Sequence, residues 1–181
     1  MSQQQPAPVR RIVTGHDSSG RAVIIEDGPA MAVRTVPERP GYRVTNLWLT
    51  ADSPAPINDL DRLADLKGIA PPARGTVVRI IDYPPESNDP AERERAFKAS
   101  FSSLYQDAQH APKPGEHPGM HRTETVDYAI VMEGELTAIL EGQETIVRAG
   151  DVLIQRGTNH AWANRSGKFA RICFVLIGGK R

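Results

Sequence analysis

The sequence predicts an all-β chain folded as a jelly-roll barrel, extended at its N-terminus by further strands and interrupted by one inserted α-helix over about residues 90–109. Three observations point there. In the C-terminal third, short alternating apolar runs are separated by Glu133-Gly134, Ala149-Gly150, Arg156-Gly157 and Ser166-Gly167, the close and regular strand spacing of sandwiches and rolls. Upstream, one segment carries a strong helix-start signature and helical periodicity. Finally, His121 and Asp127 on one short strand and His160 on a remote one fall in the C-terminal third, where they converge only if the strands curl around a common cavity.

Taken in order, residues 1–9 are polar and Pro-bearing, with nothing to offset the entropy of ordering, and are expected to form a frayed tail. Ile12-Val13 and Val23-Ile24-Ile25 flank Asp17-Ser18-Ser19-Gly20, which reads as two strands joined by a turn. Val33 to Val36 and Tyr42 to Thr50 make two more strands on either side of the turn from Pro37 to Gly41. Residues 51–75 carry Pro54, Pro56, Pro71 and Pro72 and a short apolar pattern at Leu60, Leu63 and Leu66, so they read as an irregular connection with one helical turn. Thr76 to Ile81 resumes as a strand and stops at Pro84-Pro85. The span 10–85 is thus expected to supply N-terminal strands that complete the roll.

Residues 86–118 break the β pattern. Asp89-Pro90-Ala91-Glu92 places an acid at the N-cap, proline at the first helical position and Glu three residues after the cap. Phe97, Phe101, Leu104, Tyr105 and Ala108 follow at helical spacing, and the Gly/Pro-rich stretch from Pro112 to Gly119 returns the chain to the strands. This helix either packs its aromatic face on the barrel or forms a lid or dimer contact at the cavity mouth. From 119 to 181 the chain is almost all strand: Tyr128 to Met132, Leu136 to Leu140, Thr145 to Arg148, Val152 to Gln155, Ala161 to Asn164 and Phe169 to Ile177.

Composition narrows the function. A chain of 181 residues suits one domain with a genuine core. Lys plus Arg and Asp plus Glu are equal at 22 each, so no global field favours nucleic acid or an anionic membrane. Cys173 is single and lies in the apolar run from Ile172 to Ile177, which fits a buried, inert thiol and excludes an internal disulfide. There is neither an apolar leader core near Met1 nor a run long enough to span a bilayer, so a soluble, cytoplasmic protein is expected.

The chemistry-bearing residues follow a pattern. Side chains alternate along a strand, so His121, Thr123, Thr125 and Asp127 share one face and line one wall. Trp162 and Asn164 share the parity of His160. His121-Arg122-Thr123, Asp127 and Gly134, together with Gly150-Asp151 and the run from Gly157 to Asn164, resemble the two motifs of the cupin superfamily, in its small single-domain, cupin-2 form. The resemblance covers residues 115–177. It implies a divalent transition metal, iron, zinc, manganese or nickel, held by His121, Asp127 and His160. The chain departs from that pattern at Thr123, where the family has a second histidine; at Asp127, where it has Glu; at Gln155, where it has Pro; and in a stretch from Gly150 to Gly157 that is one residue short. Glu124, Glu116 or His117 are the residues available to repair the set.

Two classes of function remain open at this point. The first is a metal-dependent enzyme acting on a small, oxygenated organic molecule, with Tyr128, Glu124 or His117 as acid or base and Thr123, Arg156, Trp162 and Asn164 contacting the substrate. Lyase, isomerase or dehydratase chemistry tolerates a looser ligand set than dioxygenation by a His/Asp/His iron site, and is preferred. The second is a metal-free cupin that binds a small ligand without transforming it. His110, His117 and His16 read otherwise as solvated loop or surface residues. The resemblance also implies a homodimer, with no nucleic-acid or membrane partner.

Overall fold

The computed structural model describes residues 5–181. In chain order the strands are β1 (Arg10–His16), β2 (Ala22–Pro29), β3 (Val33–Thr35), β4 (Arg43–Thr50) and β5 (Thr76–Tyr83), followed by helix α1 (Pro90–Leu104). Then come β6 (Thr125–Glu133), β7 (Glu135–Leu140), β8 (Glu144–Arg148), β9 (Val152–Arg156), β10 (His160–Ala163) and β11 (Ala170–Gly178). A 3₁₀ turn at Leu63–Asp65 is the one helical turn expected in the irregular connection.

A six-stranded sheet in the order β3-β4-β5-β11-β6-β9 faces a three-stranded sheet, β10-β7-β8, across a shared core, and β1 pairs with β2 alone. The result is the expected jelly roll, but the two large sheets do not close into one continuous hydrogen-bonded barrel. They are stitched where His121 and His160 exchange both backbone hydrogen bonds, each N–H to the other's carbonyl at 2.9 Å. Inward residues of the two layers, among them Leu136, Trp162, Ala129, Ile172 and Phe174, form one apolar cluster. The tight β6–β7 turn depends on Gly134, whose φ is 73° and where a Cβ would sit 2.6 Å from the carbonyl oxygen of Phe169.

The helix start follows its sequence signature with one refinement. Asp89 accepts from the Ala91 N–H at 2.9 Å, but Glu92 does not close the reciprocal bond directly. Ser87 relays it: its hydroxyl donates to Glu92 at 2.7 Å and accepts from the Asp89 N–H at 3.1 Å. The helix ends at Leu104 rather than near 109. Tyr105 leaves the helix to place its hydroxyl 2.6 Å from that of Tyr42, and Gln109 pairs with Arg122; both are non-local partners that outweigh the helical spacing of Ala108.

Residues 5–9 of the expected tail are also tied down, while residues 1–4 lie outside the described part. Asp82, almost fully buried, receives Arg43 Nε at 2.8 Å and Arg171 Nε at 2.6 Å, joining β4, β5 and β11. The same two guanidinium groups donate onward to the Pro6 and Ala7 carbonyls at 2.6 and 2.7 Å. Polar backbone here finds buried charge, so the chain orders without apolar side chains. Among the described residues no helix is long and apolar enough to cross a membrane.

Candidate active site

Between the sheets and α1 lies a narrow cavity. Its position follows from the cross-strand pair described above. Because His121 and His160 are directly opposed residues on antiparallel segments, their side chains emerge on the same face as neighbours. The ring centroids lie 4.3 Å apart at 45°. Phe101 of α1 covers His121 at 5.0 Å, and Trp162, two residues along β10, meets His160 edge-on at 6.0 Å. Phe97, Ser100 and Phe101 make α1 a wall of the cavity.

Each imidazole has its tautomer fixed by backbone. Nδ1 of His121 lies 2.9 Å from the Gly119 carbonyl oxygen, and Nδ1 of His160 lies 3.0 Å from that of Thr158. A carbonyl oxygen only accepts, so each Nδ1 carries the hydrogen and each Nε2 keeps its lone pair. Burial and then the neighbouring His160 push the His121 pKa down to about 3, and burial pushes that of His160 down to about 4. Both rings are therefore neutral bases at pH 7.

Asp127 lines the same cavity from β6. Burial raises its pKa to about 6, against the lowering effects of a Thr125 hydrogen bond and the charge of Arg79. Its Oδ1 is buried with no hydrogen-bond partner. A three-donor metal centre needs its ligand atoms roughly 2.0–2.2 Å from one point, and the described residues contain no group of three His, Cys, Asp or Glu gathered in that way. The two imidazoles fit two coordination positions, but Asp127, one methylene shorter than Glu and turned to Thr125, does not join them. The expected His121/Asp127/His160 centre thus shares a cavity but does not fit a common cation as these residues stand.

The remaining sequence candidates are spread more widely. Tyr128 is 41% exposed and points out of the sheet, opposite Ile154, so it is not placed to act on a molecule in the cavity. Glu124 is exposed and faces Arg181 at 3.8 Å, and Arg156 is exposed at a strand end. These three corrections share one cause: the alternation that turns His121, Thr123 and Asp127 inward turns Glu124 and Tyr128 outward, as it turns Arg156 away from buried Gln155. Thr123 is buried but bonds to the Thr125 hydroxyl at 2.7 Å. Asn164 is consumed by structure. Its Nδ2 donates to the Tyr83 and Lys168 carbonyls at 2.8 and 2.7 Å, and its Oδ1 accepts from Ser166 N–H and Oγ at 3.1 and 2.8 Å, which fills its amide. Trp162 does line the cavity.

His117 and His110 are not solvated. His117 sits behind Phe97, at 4.9 Å, with Nδ1 accepting from Gly119 N–H at 3.1 Å and Nε2 3.1 Å from Glu86, so neither nitrogen is left for a ligand. His110 stacks on Phe101 at 3.8 Å. Sequence reasoning missed the cavity residues Arg39, Tyr42, Arg79 and Tyr105. Arg79 carried a signal: it interrupts the apolar run of β5 at the parity of Val77 and Ile81, where a charge needs a reason.

Comparison with known proteins agrees with this architecture. The family model described as a cupin domain matches residues 110–176. The phomopsin biosynthesis cluster protein C' of Diaporthe leptostromiformis is 31% identical over 183 residues, covering 94% of this chain and 78% of that protein. The oryzines biosynthesis cluster protein J of Aspergillus oryzae is 31% identical over 187 residues, covering 95% and 84%. The cupin-domain-containing oxidoreductase virC of Hypocrea virens is 30% identical over 186 residues, covering 97% and 80%.

Proposed function

Since this chain belongs to the cupin family, we propose that its cavity is the active site of a small-molecule enzyme that moves a proton on an oxygenated organic substrate, in isomerisation, dehydration or lyase chemistry. The observation that carries this reading is the imidazole pair: two neutral rings side by side, each held by a backbone carbonyl at Nδ1 and free at Nε2. A neutral imidazole with a free Nε2 aimed into a cavity can accept a proton from a molecule bound there. Asp127, whose carboxyl is raised toward neutrality, supplies the complementary acid. The pairing of a base with a lowered pKa and an acid with a raised one in one cavity is how opposite roles are divided among titratable groups.

In this reading, Nε2 of His160 or His121 takes a proton from a carbon next to a carbonyl. The protonated fraction of Asp127 donates a hydrogen bond to the carbonyl oxygen as its charge grows. Return of the proton at another carbon gives an isomer, and loss of hydroxide as water gives an alkene. Trp162, Phe101 and Phe174 exclude water and hold the flat part of the substrate.

A second reading, an oxidoreductase, is favoured by the name carried by relatives such as virC. One experiment separates the two. The purified protein is incubated in D₂O with extracts of the compounds made beside such biosynthesis proteins, and products are followed by mass spectrometry. Proton-transfer chemistry gives deuterium uptake with the mass otherwise unchanged or reduced by one water, lost in the double variant His121→Ala/His160→Ala. A product differing by two hydrogens or by added oxygen favours the oxidoreductase and contradicts the first reading.

A further inference from the structure

The cavity holds two arginines that the proposed chemistry does not use. Arg79 is 1% exposed on β5, and Arg39 is 7% exposed in the loop before β4. Both line the cavity. Arg79 donates through Nη2 to the Ile69 carbonyl at 2.8 Å, and its Nε is buried without a partner. The carbonyl it meets is itself fixed, because Asp107 accepts from the Ile69 and Ala70 N–H groups at 2.8 and 2.9 Å. Arg39 lies flat between Tyr42 and Phe97, 4.0 and 4.1 Å from their ring centroids, and its Nη2 is likewise buried and unpartnered.

Neither guanidinium has a carboxylate within 4.0 Å among the described residues. A buried guanidinium stays charged and is costly to leave unpaired. The cavity's neutral imidazoles offer no counter-charge, and Asp127 is the one carboxylate on its wall. Asp107, behind Ile69, and Asp127 act on Arg79 through their charge without touching it, so two guanidinium groups face one carboxylate inside a mostly aromatic and aliphatic cavity and each keeps an unpartnered N–H group.

We propose that Arg79, assisted by Arg39, is the anion-recognising element of this cavity, and that the ligand is a flat, largely apolar molecule bearing a carboxylate. This rests on the cavity being the substrate site and adds the substrate class. Arginine suits the task because its planar fork offers several donors to one carboxylate. Arg79 is a specificity residue here, separate from the imidazoles that act on the reacting carbon.

The test uses 2-naphthoate and its neutral counterpart 2-naphthamide, titrated into the full chain by calorimetry. The acid is expected to bind at least about tenfold more tightly than the amide, the scale of a hydrogen bond to a charged group. That preference is expected to vanish in Arg79→Met and to persist in His160→Ala, which separates loss of recognition from failure of the proton-transfer reading. Thermal melts establish that each variant is folded, with Arg79→Gln as the second variant should Arg79→Met not fold. Equal affinity for acid and amide, no binding of either, or a preference that survives in the folded Arg79 variant overturns the proposal.

Discussion

His121 and His160 exchange both of their backbone hydrogen bonds and thereby set their imidazoles side by side, 4.3 Å apart, at the seam between the two sheets. The backbone pairing that joins the layers is also what builds the candidate base. Loss of one ring leaves the seam intact, because the bonds are made by main chain.

His160→Ala is therefore expected to lower kcat by roughly 10²–10⁴, the usual weight of a positioned general base, while the far-ultraviolet circular dichroism spectrum stays unchanged. His121→Ala tests which ring takes the proton. The larger loss marks the base, and equal small losses in both would contradict the role given to the pair.

The pH profile follows from the direction of the shifts. His160, with its pKa pushed down to about 4, is competent as a base above that value, and Asp127, raised to about 6, is competent as an acid below it. Activity is expected to rise through about pH 4, to fall as pH climbs past about 6, and to lose the upper limb in Asp127→Asn. A wild-type rate still rising between pH 6 and 8 would contradict the assignment of Asp127.

Much of the architecture was legible because its signals are local. Asp89-Pro90 announces a helix start within a few residues, and the Gly-punctuated strands announce a roll. The helix end was not legible, since Tyr105 answers to Tyr42, far away in the chain. Alternation placed His121 and Asp127 on one face, and the same alternation, carried one residue further, excludes Glu124 and Tyr128. Arg39 and Arg79 escaped because an arginine in a loop or strand reads as surface until tertiary structure buries it.

Metal binding gives a third prediction. With the two imidazoles gathered and the carboxylate apart, the dialysed protein is expected to retain well below one equivalent of zinc, nickel, manganese or iron by elemental analysis. Thr123→His combined with Asp127→Glu supplies a third nitrogen and the missing methylene, and is expected to raise zinc retention at least about tenfold, since donor number and reach set affinity. Stoichiometric metal in the wild type would show that Asp127 turns to join the pair.

Stability depends on a site remote from the cavity. Asp82 holds Arg43 and Arg171 across three strands at 2.8 and 2.6 Å, and removing one member of a buried ion network leaves the others uncompensated. Asp82→Ala is expected to cost about 3–5 kcal/mol in urea unfolding. It should also loosen residues 6 and 7, whose carbonyls the two arginines hold, visible as a lower NMR order parameter at Ala7. A change under about 1 kcal/mol would mean that the network contributes little.

The candidate base consists of two neutral, Nδ1-protonated imidazoles with free Nε2 atoms, and nitrogen-15 NMR of the histidine side chains reads that state directly. The expected result is that both His121 and His160 show protonated Nδ1 and unprotonated Nε2 at pH 7, and that neither titrates above about pH 5. Titration of either ring near 6.5, or hydrogen on Nε2, would contradict the account and remove the base it assigns.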